Sequence, residues 1–218
     1  MKWIGHRGYS LEYKDNSIEA IRQAVVRGYD GVEIDIQLCK TGEIVLHHDV
    51  YLGDQFIKDA PFDDLDVISL DDVYREIPEI SDVPLLLDIK GNDHSIIQAL
   101  EIFYRHRSIE NVTFCSFNRS LLFGLPSNFK KGSTFETSFK VGEYDMITQG
   151  ITAVLIHWTC LSHEFIKHCH AKNITVYTYT HKEQMELEYM YTYEVDAIIT
   201  NGFTSYPGNS SQQRRKQE

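Results

Sequence analysis

With 218 residues, 42% hydrophobic and 24% charged, the chain has the length and composition of one medium-sized soluble domain with a sizeable core. Its net charge of −11 excludes a broad nucleic-acid surface, which needs a basic stripe to neutralise phosphates, and leaves room only for a local basic pocket. No apolar run reaches the length of a membrane-spanning helix, and the start, Met1-Lys2-Trp3-Ile4-Gly5-His6-Arg7, turns polar too early for a signal peptide.

Cys39, Cys115, Cys160 and Cys169 are scattered without paired close spacing. They read as reduced thiols rather than a disulfide frame or a zinc site. Together these features predict a cytoplasmic protein without stable membrane anchoring. Oligomeric state is not legible in them.

In chain order, a short strand at 2–5 runs into His6-Arg7-Gly8. Ile18, Ile21 and Val25 form the apolar stripe of a helix, with Asn16 and Glu19 as its expected capping box and Gly28 as its end. The stretch 31–49 follows, and it carries the most chemistry. Glu33 and Asp35 sit two apart in a Val/Ile strand, so both carboxylates leave one face. A turn centred on Thr41-Gly42 would return the chain through Ile44-Val45-Leu46 and pair Asp35 with His48. A slip of one residue would offer His47 instead.

From 54 to 82 the chain is acidic and broken by Pro61 and Pro78, with one short helix expected over 70–77. Leu85 to Ile89 reads as a buried strand and again sets two polar residues two apart, Asp88 and Lys90. Further strands are expected at 112–117, 133–138, 153–158, 175–180 and 197–201, with helices at 96–104, 119–122, 164–170 and 185–193. His168 and His170 read as surface residues. Residues 1–203 are expected to form one catalytic domain, and the Pro/Gly/Ser/Gln/Arg-rich 204–218 a disordered tail.

Eight strands alternating with helices predict an α/β fold, a (β/α)8 TIM barrel with little or no inserted cap, in which chemistry gathers at the C-terminal strand ends. His6, Arg7, Glu33, Asp35, Asp88 and Lys90 all fall there. Three carboxylates at close range repel by about 4 kcal/mol per pair at an effective dielectric near 20, so a positive partner is required. Oxygen-only ligands suit one hard divalent cation, Mg²⁺ or Ca²⁺, held by Glu33, Asp35 and Asp88. Arg7 and Lys90 then leave the site able to neutralise a phosphodiester, and His6 and His48 are suited to acid–base work at neutral pH. Tyr179 is placed as a pocket wall that contacts substrate, with barrel filler as its alternative.

The ordered set His6-Arg7-Gly8, Asp15-Asn16-Ser17, Glu33-Ile34-Asp35, His48-Asp49, Asp88-Ile89-Lys90, Ser116-Phe117, Tyr179-Thr180 and Thr200-Asn201 resembles the glycerophosphodiester phosphodiesterase family. The resemblance implies a barrel of the phospholipase C-like phosphodiesterase type. It also implies metal-dependent hydrolysis of a small-molecule glycerophosphodiester to glycerol 3-phosphate and an alcohol. By position it makes His6 and His48 catalytic, Glu33, Asp35 and Asp88 metal ligands, and Arg7 and Lys90 phosphate contacts. The family pattern usually carries Glu at position 88, Trp at 179 and Asp at 201, where this chain has Asp88, Tyr179 and Asn201. Two other activities share these residues: a phospholipase D-like reaction on lysophospholipids through a cyclic phosphate, and phosphate binding without turnover by a pseudoenzyme.

Overall fold

A computed structural model describes residues 1–202. The elements in order are β1 (Lys2–His6), α1 (Ile18–Val26), β2 (Gly31–Leu38), β3 (Ile44–Leu46), β4 (Tyr51–Leu52), β5 (Gln55–Phe56), α2 (Leu70–Glu76), β6 (Leu85–Ile89) and α3 (Ser95–Tyr104). They continue with β7 (Val112–Ser116), α4 (Arg119–Gly124), β8 (Lys130–Phe135), α5 (Tyr144–Thr148), β9 (Ala153–His157), α6 (His163–Ala171), β10 (Thr175–His181), α7 (Gln184–Met190) and β11 (Ala197–Thr200). The parallel order β1-β11-β10-β9-β8-β7-β6-β2 closes through β1–β2 pairing into an eight-stranded barrel, with β3 an antiparallel arm on β2. The tail expected at 204–218 lies outside the described residues.

Two cores follow from the period of two along each strand. Outward residues such as Val32, Ile34, Ile36, Leu85, Leu87 and Phe114 pack under the helices. Inward residues Ile4, Leu86, Cys115, Ala153, Leu155, Ala197 and Ile199 fill the barrel. Each buried Leu or Ile contributes roughly 1.5–3 kcal/mol. Gly132 keeps the filling possible, since a Cβ there would stand 3.0 Å from both the Cys115 Sγ and a Leu155 methyl. One step further along the same inward rows lie His6, Asp88, Phe117, Thr134 and Tyr179, so the filled barrel becomes a polar mouth at its C-terminal end.

Several boundaries differ from the sequence reading. The fifth barrel strand spans Lys130–Phe135 rather than 133–138, because Lys130 and Lys131 read as loop while pairing with β7. Helix α7 stops at Met190 rather than 193, and α5 is an additional short helix. Helix α1 is capped by Ser17, whose hydroxyl accepts from the Ala20 amide, which frees Asn16 for another task. His168 is half-buried against Thr148 rather than lying on the surface. Segment 51–64 forms only the small β4–β5 hairpin and two single 3₁₀ turns, so the excursion is as slight as expected. Among the described residues no helix is long and apolar enough to cross a membrane, and all four cysteines are free.

His181 is fully buried at the end of β10, its Nε2 2.9 Å from the Thr178 hydroxyl. Burial holds it neutral and lowers its pKa from 6.5 to about 4, with Glu186 opposing and His157 adding to the shift. The unfolded chain therefore binds a proton below pH 6.5 that the folded chain refuses until about pH 4, and stability is lost as pH falls through that window. Relative to His181→Met, the wild type should lose about 2 kcal/mol between pH 7.5 and 5. Urea denaturation of both proteins at the two pH values measures it, and parallel loss in the two would remove His181 as the cause.

Candidate active site

Strand register explains how the acids meet. Parallel neighbours stand about 4.8 Å apart, and β1, β2 and β6 align His6 with Glu33 and Asp35 with Asp88 on the inner face. One carboxylate oxygen from each of Glu33, Asp35 and Asp88 lies within 4.8 Å of the others, and all three residues are buried.

Each acid has different company. Glu33 accepts from the Arg7 amide at 3.0 Å and has no cation of its own closer than that. Asp35 is held by the Lys90 ammonium at 2.9 Å and the Arg7 Nε at 3.0 Å, and accepts from the Asn16 side-chain amide at 2.8 Å. Asp88 accepts from Lys90 at 2.5 Å through one oxygen, while its Oδ1 is buried without a hydrogen bond. Burial pushes all three carboxyls up. Lys90 and Arg7 outweigh it at Asp35, which ends below the usual range. At Glu33 burial and the charges of Asp35 and Asp88 raise the carboxyl well above its ordinary value, and at Asp88 burial and Asp35 outweigh Lys90. Burial would lower the Lys90 ammonium, but Asp88, Asp35 and Glu33 raise it instead, so it stays charged.

The residues fit a hard divalent cation. The donors are carboxylate oxygens only, and the unpartnered Asp88 Oδ1 is a buried acceptor with lone pairs to offer.

The β1–α1 loop is folded back to serve this cluster. Arg7 and Asn16 both adopt left-handed backbone, φ 55° and 53°, and the Asn16 amide donates to the Arg7 carbonyl at 3.0 Å. For Arg7 this costs roughly 1–2 kcal/mol, and it aims the Arg7 N–H at Glu33. Gly8 lets the loop lie against α1, since a Cβ there would meet the Ala20 carbonyl carbon at 2.4 Å. Asn16 grips Asp35 twice, donating to its carboxylate and accepting from its backbone amide at 3.0 Å. Arg7 also pairs with Asp15 at 2.9 Å on the rim.

His6 stands beside Glu33, and His48 lines the same pocket. The His6 Nδ1 lies 2.6 Å from the Asn201 side-chain Oδ1, which can only accept, so Nδ1 carries the proton and the Nε2 lone pair faces the site, 3.9 Å from Glu33. Burial, then Arg7, lowers its pKa from 6.5 to about 4.

The hairpin register is one residue from the expected one. Ile36 pairs with Leu46 and Leu38 with Ile44 around a three-residue loop at 40–42, so continued pairing would set Asp35 opposite His47. The strand ends at Leu46, however, and Gln37 donates to the carbonyls of His47 at 2.8 Å and Asp49 at 2.6 Å. That strap turns His48, not His47, into the wall of the pocket. The His48 Nδ1 lies 2.8 Å from the Asp49 carboxylate.

The opposite wall is made by Phe117, Glu136, Tyr179 and Thr180. Tyr179 lines the pocket while its hydroxyl donates to the Phe135 carbonyl at 2.8 Å, so it is wall and packing at once. All eight predicted site residues, His6, Arg7, Glu33, Asp35, His48, Asp88, Lys90 and Tyr179, line this one pocket. Asn16, Gln37 and Glu136 received no site role from the sequence. For Glu136 the period of two from Gly132 and Thr134 was the available signal.

A family model, the glycerophosphoryl diester phosphodiesterase family, matches residues 6–122, more than half of the chain. The chain belongs to this family. Among curated relatives of the family, a glycerophosphodiester phosphodiesterase of Bacillus altitudinis is 28% identical over 120 residues, 50% of this chain and 49% of that protein. Human glycerophosphodiester phosphodiesterase 1 is 28% identical over 138 residues, 52% of this chain and 42% of that protein. The chain spans no more than about half the length of the first curated relatives it matches. The barrel is shared with the structure of an Oleispira antarctica phosphodiesterase in complex with the product sn-glycerol-3-phosphate, at 20% identity, TM-score 0.82, and coverage of 92% of this chain and 93% of that one.

Proposed function

We propose that the protein is a metal-dependent phosphodiesterase that hydrolyses glycerophosphodiesters to glycerol 3-phosphate and an alcohol by His6/His48 acid–base catalysis. The observation that carries this reading is the meeting of the Glu33/Asp35/Asp88 cluster with Arg7, Lys90 and two histidines, His6 and His48, in one pocket. Family membership and the product named in the Oleispira antarctica structure support the same substrate class.

In this reading Glu33, Asp35 and Asp88 hold one divalent cation, Mg²⁺ or Ca²⁺. When bound, it supplies Lewis-acid polarisation of a phosphoryl oxygen. Arg7 presents its guanidinium fork to the phosphate while Asp35 and Asp15 fix the fork's direction. Lys90 offsets the acids and reaches the same phosphate from the β6 side. His6 takes a proton from the attacking hydroxyl at Nε2, and Asn201 keeps that nitrogen the unprotonated one. His48, its Nδ1 turned to Asp49, presents Nε2 to the leaving oxygen and protonates it.

The test is turnover of glycerophosphocholine with Mg²⁺, with Ca²⁺ and with chelator, followed by ³¹P NMR. Cation-dependent release of glycerol 3-phosphate is expected, and activity indifferent to chelator would sink the mechanism. A transient cyclic glycerophosphate would identify the substrate's own hydroxyl as attacker, and its absence would point to water. Lysophosphatidylcholine is the second substrate to run, because Val50, Tyr51, Phe56 and Phe117 are exposed apolar residues of the β4–β5 and β7 loops. Binding of cation and substrate without turnover would make the chain a pseudoenzyme.

A further inference from the structure

The wall facing the acid cluster has a chemistry that the hydrolytic step does not use. Phe117 is the next inward residue after Cys115, Tyr179 the next after Tyr177, and Glu136 the next after Thr134, so the rim positions of β7, β10 and β8 send two rings and one carboxylate into the same pocket. The rings stand at 88° with centroids 6.3 Å apart, forming two walls of a corner. Phe117 lines the pocket and is 49% exposed. Tyr179 is fixed by its hydroxyl on the carbonyl of Phe135, so the ring is tied to the backbone immediately before Glu136. The Phe117 face already looks toward a cation, with the Lys90 ammonium 5.9 Å from its centroid, and that ammonium is occupied by Asp35 and Asp88.

Charge points the same way. Arg7 and Lys90 face four carboxylates in the pocket, Glu33, Asp35, Asp88 and Glu136. One divalent cation brings these lining groups to balance, and an anionic phosphodiester then leaves one negative charge in excess. A substrate that carries its own positive charge on the alcohol side restores the balance, and the surplus carboxylate stands beside the two rings.

We propose that Phe117, Tyr179 and Glu136 form a subsite for a cationic alcohol group, an alkylammonium of the choline or ethanolamine kind, and so make the enzyme selective for zwitterionic glycerophosphodiesters. The proposal rests on the hydrolytic reading above. The ring faces attract the ammonium through their quadrupole, and Glu136 supplies the counter-charge.

The experiment measures kcat/KM of the full chain, with its cation, on glycerophosphocholine, glycerophosphoethanolamine, glycerophosphoglycerol and glycerophosphoinositol. Wild type is expected to favour the first two. Phe117→Leu and Glu136→Gln should each lower the choline-to-inositol ratio roughly 3- to 30-fold, mainly through KM. Choline should inhibit wild type competitively where its neutral isostere 3,3-dimethylbutanol does not, and Phe117→Leu should weaken that inhibition. Turnover of all four substrates with a ratio unchanged in both variants would overturn the subsite and leave the hydrolytic reading standing. Turnover of none would overturn the hydrolytic reading itself.

Discussion

Glu33→Gln is expected to raise the melting temperature of the cation-free protein while lowering cation-dependent turnover by at least ~1000-fold and cation affinity by more than ~100-fold. The two effects have one origin. Glu33 is buried, has Asp35 and Asp88 as neighbours, and accepts a hydrogen bond from the Arg7 backbone amide rather than from a cationic side chain. Its carboxyl is raised by burial first and by those two charges next. A carboxyl with a raised folded-state pKa opposes folding at every pH above its unfolded value, and the penalty is full once the pH passes the folded value. Glutamine keeps the shape and can still accept from the Arg7 amide, but carries no charge. In chelator at pH 8 the variant should therefore melt at least ~2 °C above wild type, and in saturating Mg²⁺ the order should reverse. Asp35 offers the opposite control. Its charge is already compensated by Lys90 and Arg7, so Asp35→Asn removes the carboxylate that two half-buried cations share and should lower the melting temperature with or without metal. A Glu33→Gln protein that melts lower in chelator, or keeps turnover within tenfold, would remove Glu33 from the cation set.

The barrel and most of this cluster were legible because both depend on the period of two. Glu33 and Asp35, or Asp88 and Lys90, share a face in any strand, and the alternation of strands with helices sends those faces to one end. What the sequence hid depends on contacts between distant segments or on loop length. Asn16 looks like a helix cap because Asn, Asp and Ser cap equally well, and only the fold shows Ser17 in that place and Asn16 gripping Asp35. The hairpin reading chose His48 from a two-residue turn. The loop has three residues, and His48 reaches the pocket because β3 is short and Gln37 straps the segment after it. The fifth strand was displaced because its first half begins with two lysines, so that Gly132, the start of its inward row, fell outside the expected span.

The two histidines should separate by the leaving group they act on. On glycerophosphocholine, His6→Ala and His48→Ala are each expected to lower kcat by ~10²–10⁴, the span that a positioned acid or base supplies. On a glycerophosphodiester with 4-nitrophenol as its alcohol, the leaving oxygen departs without protonation. His48→Ala should then recover most of its loss and His6→Ala none. The assignment follows from the ring contacts. The His6 Nδ1 is committed to an amide oxygen that can only accept, so the proton-free nitrogen faces the cluster and the attacking hydroxyl. The His48 Nδ1 is committed to the Asp49 carboxylate, which can only accept and so leaves Nε2 as the nitrogen that serves the leaving oxygen. Asn201 adds a further handle, since Asn201→Leu would free the His6 ring to turn or change tautomer, and should act like a partial His6→Ala on both substrates. Recovery in His6→Ala and none in His48→Ala would exchange the two roles, and recovery in neither would leave the leaving oxygen to a group other than these imidazoles.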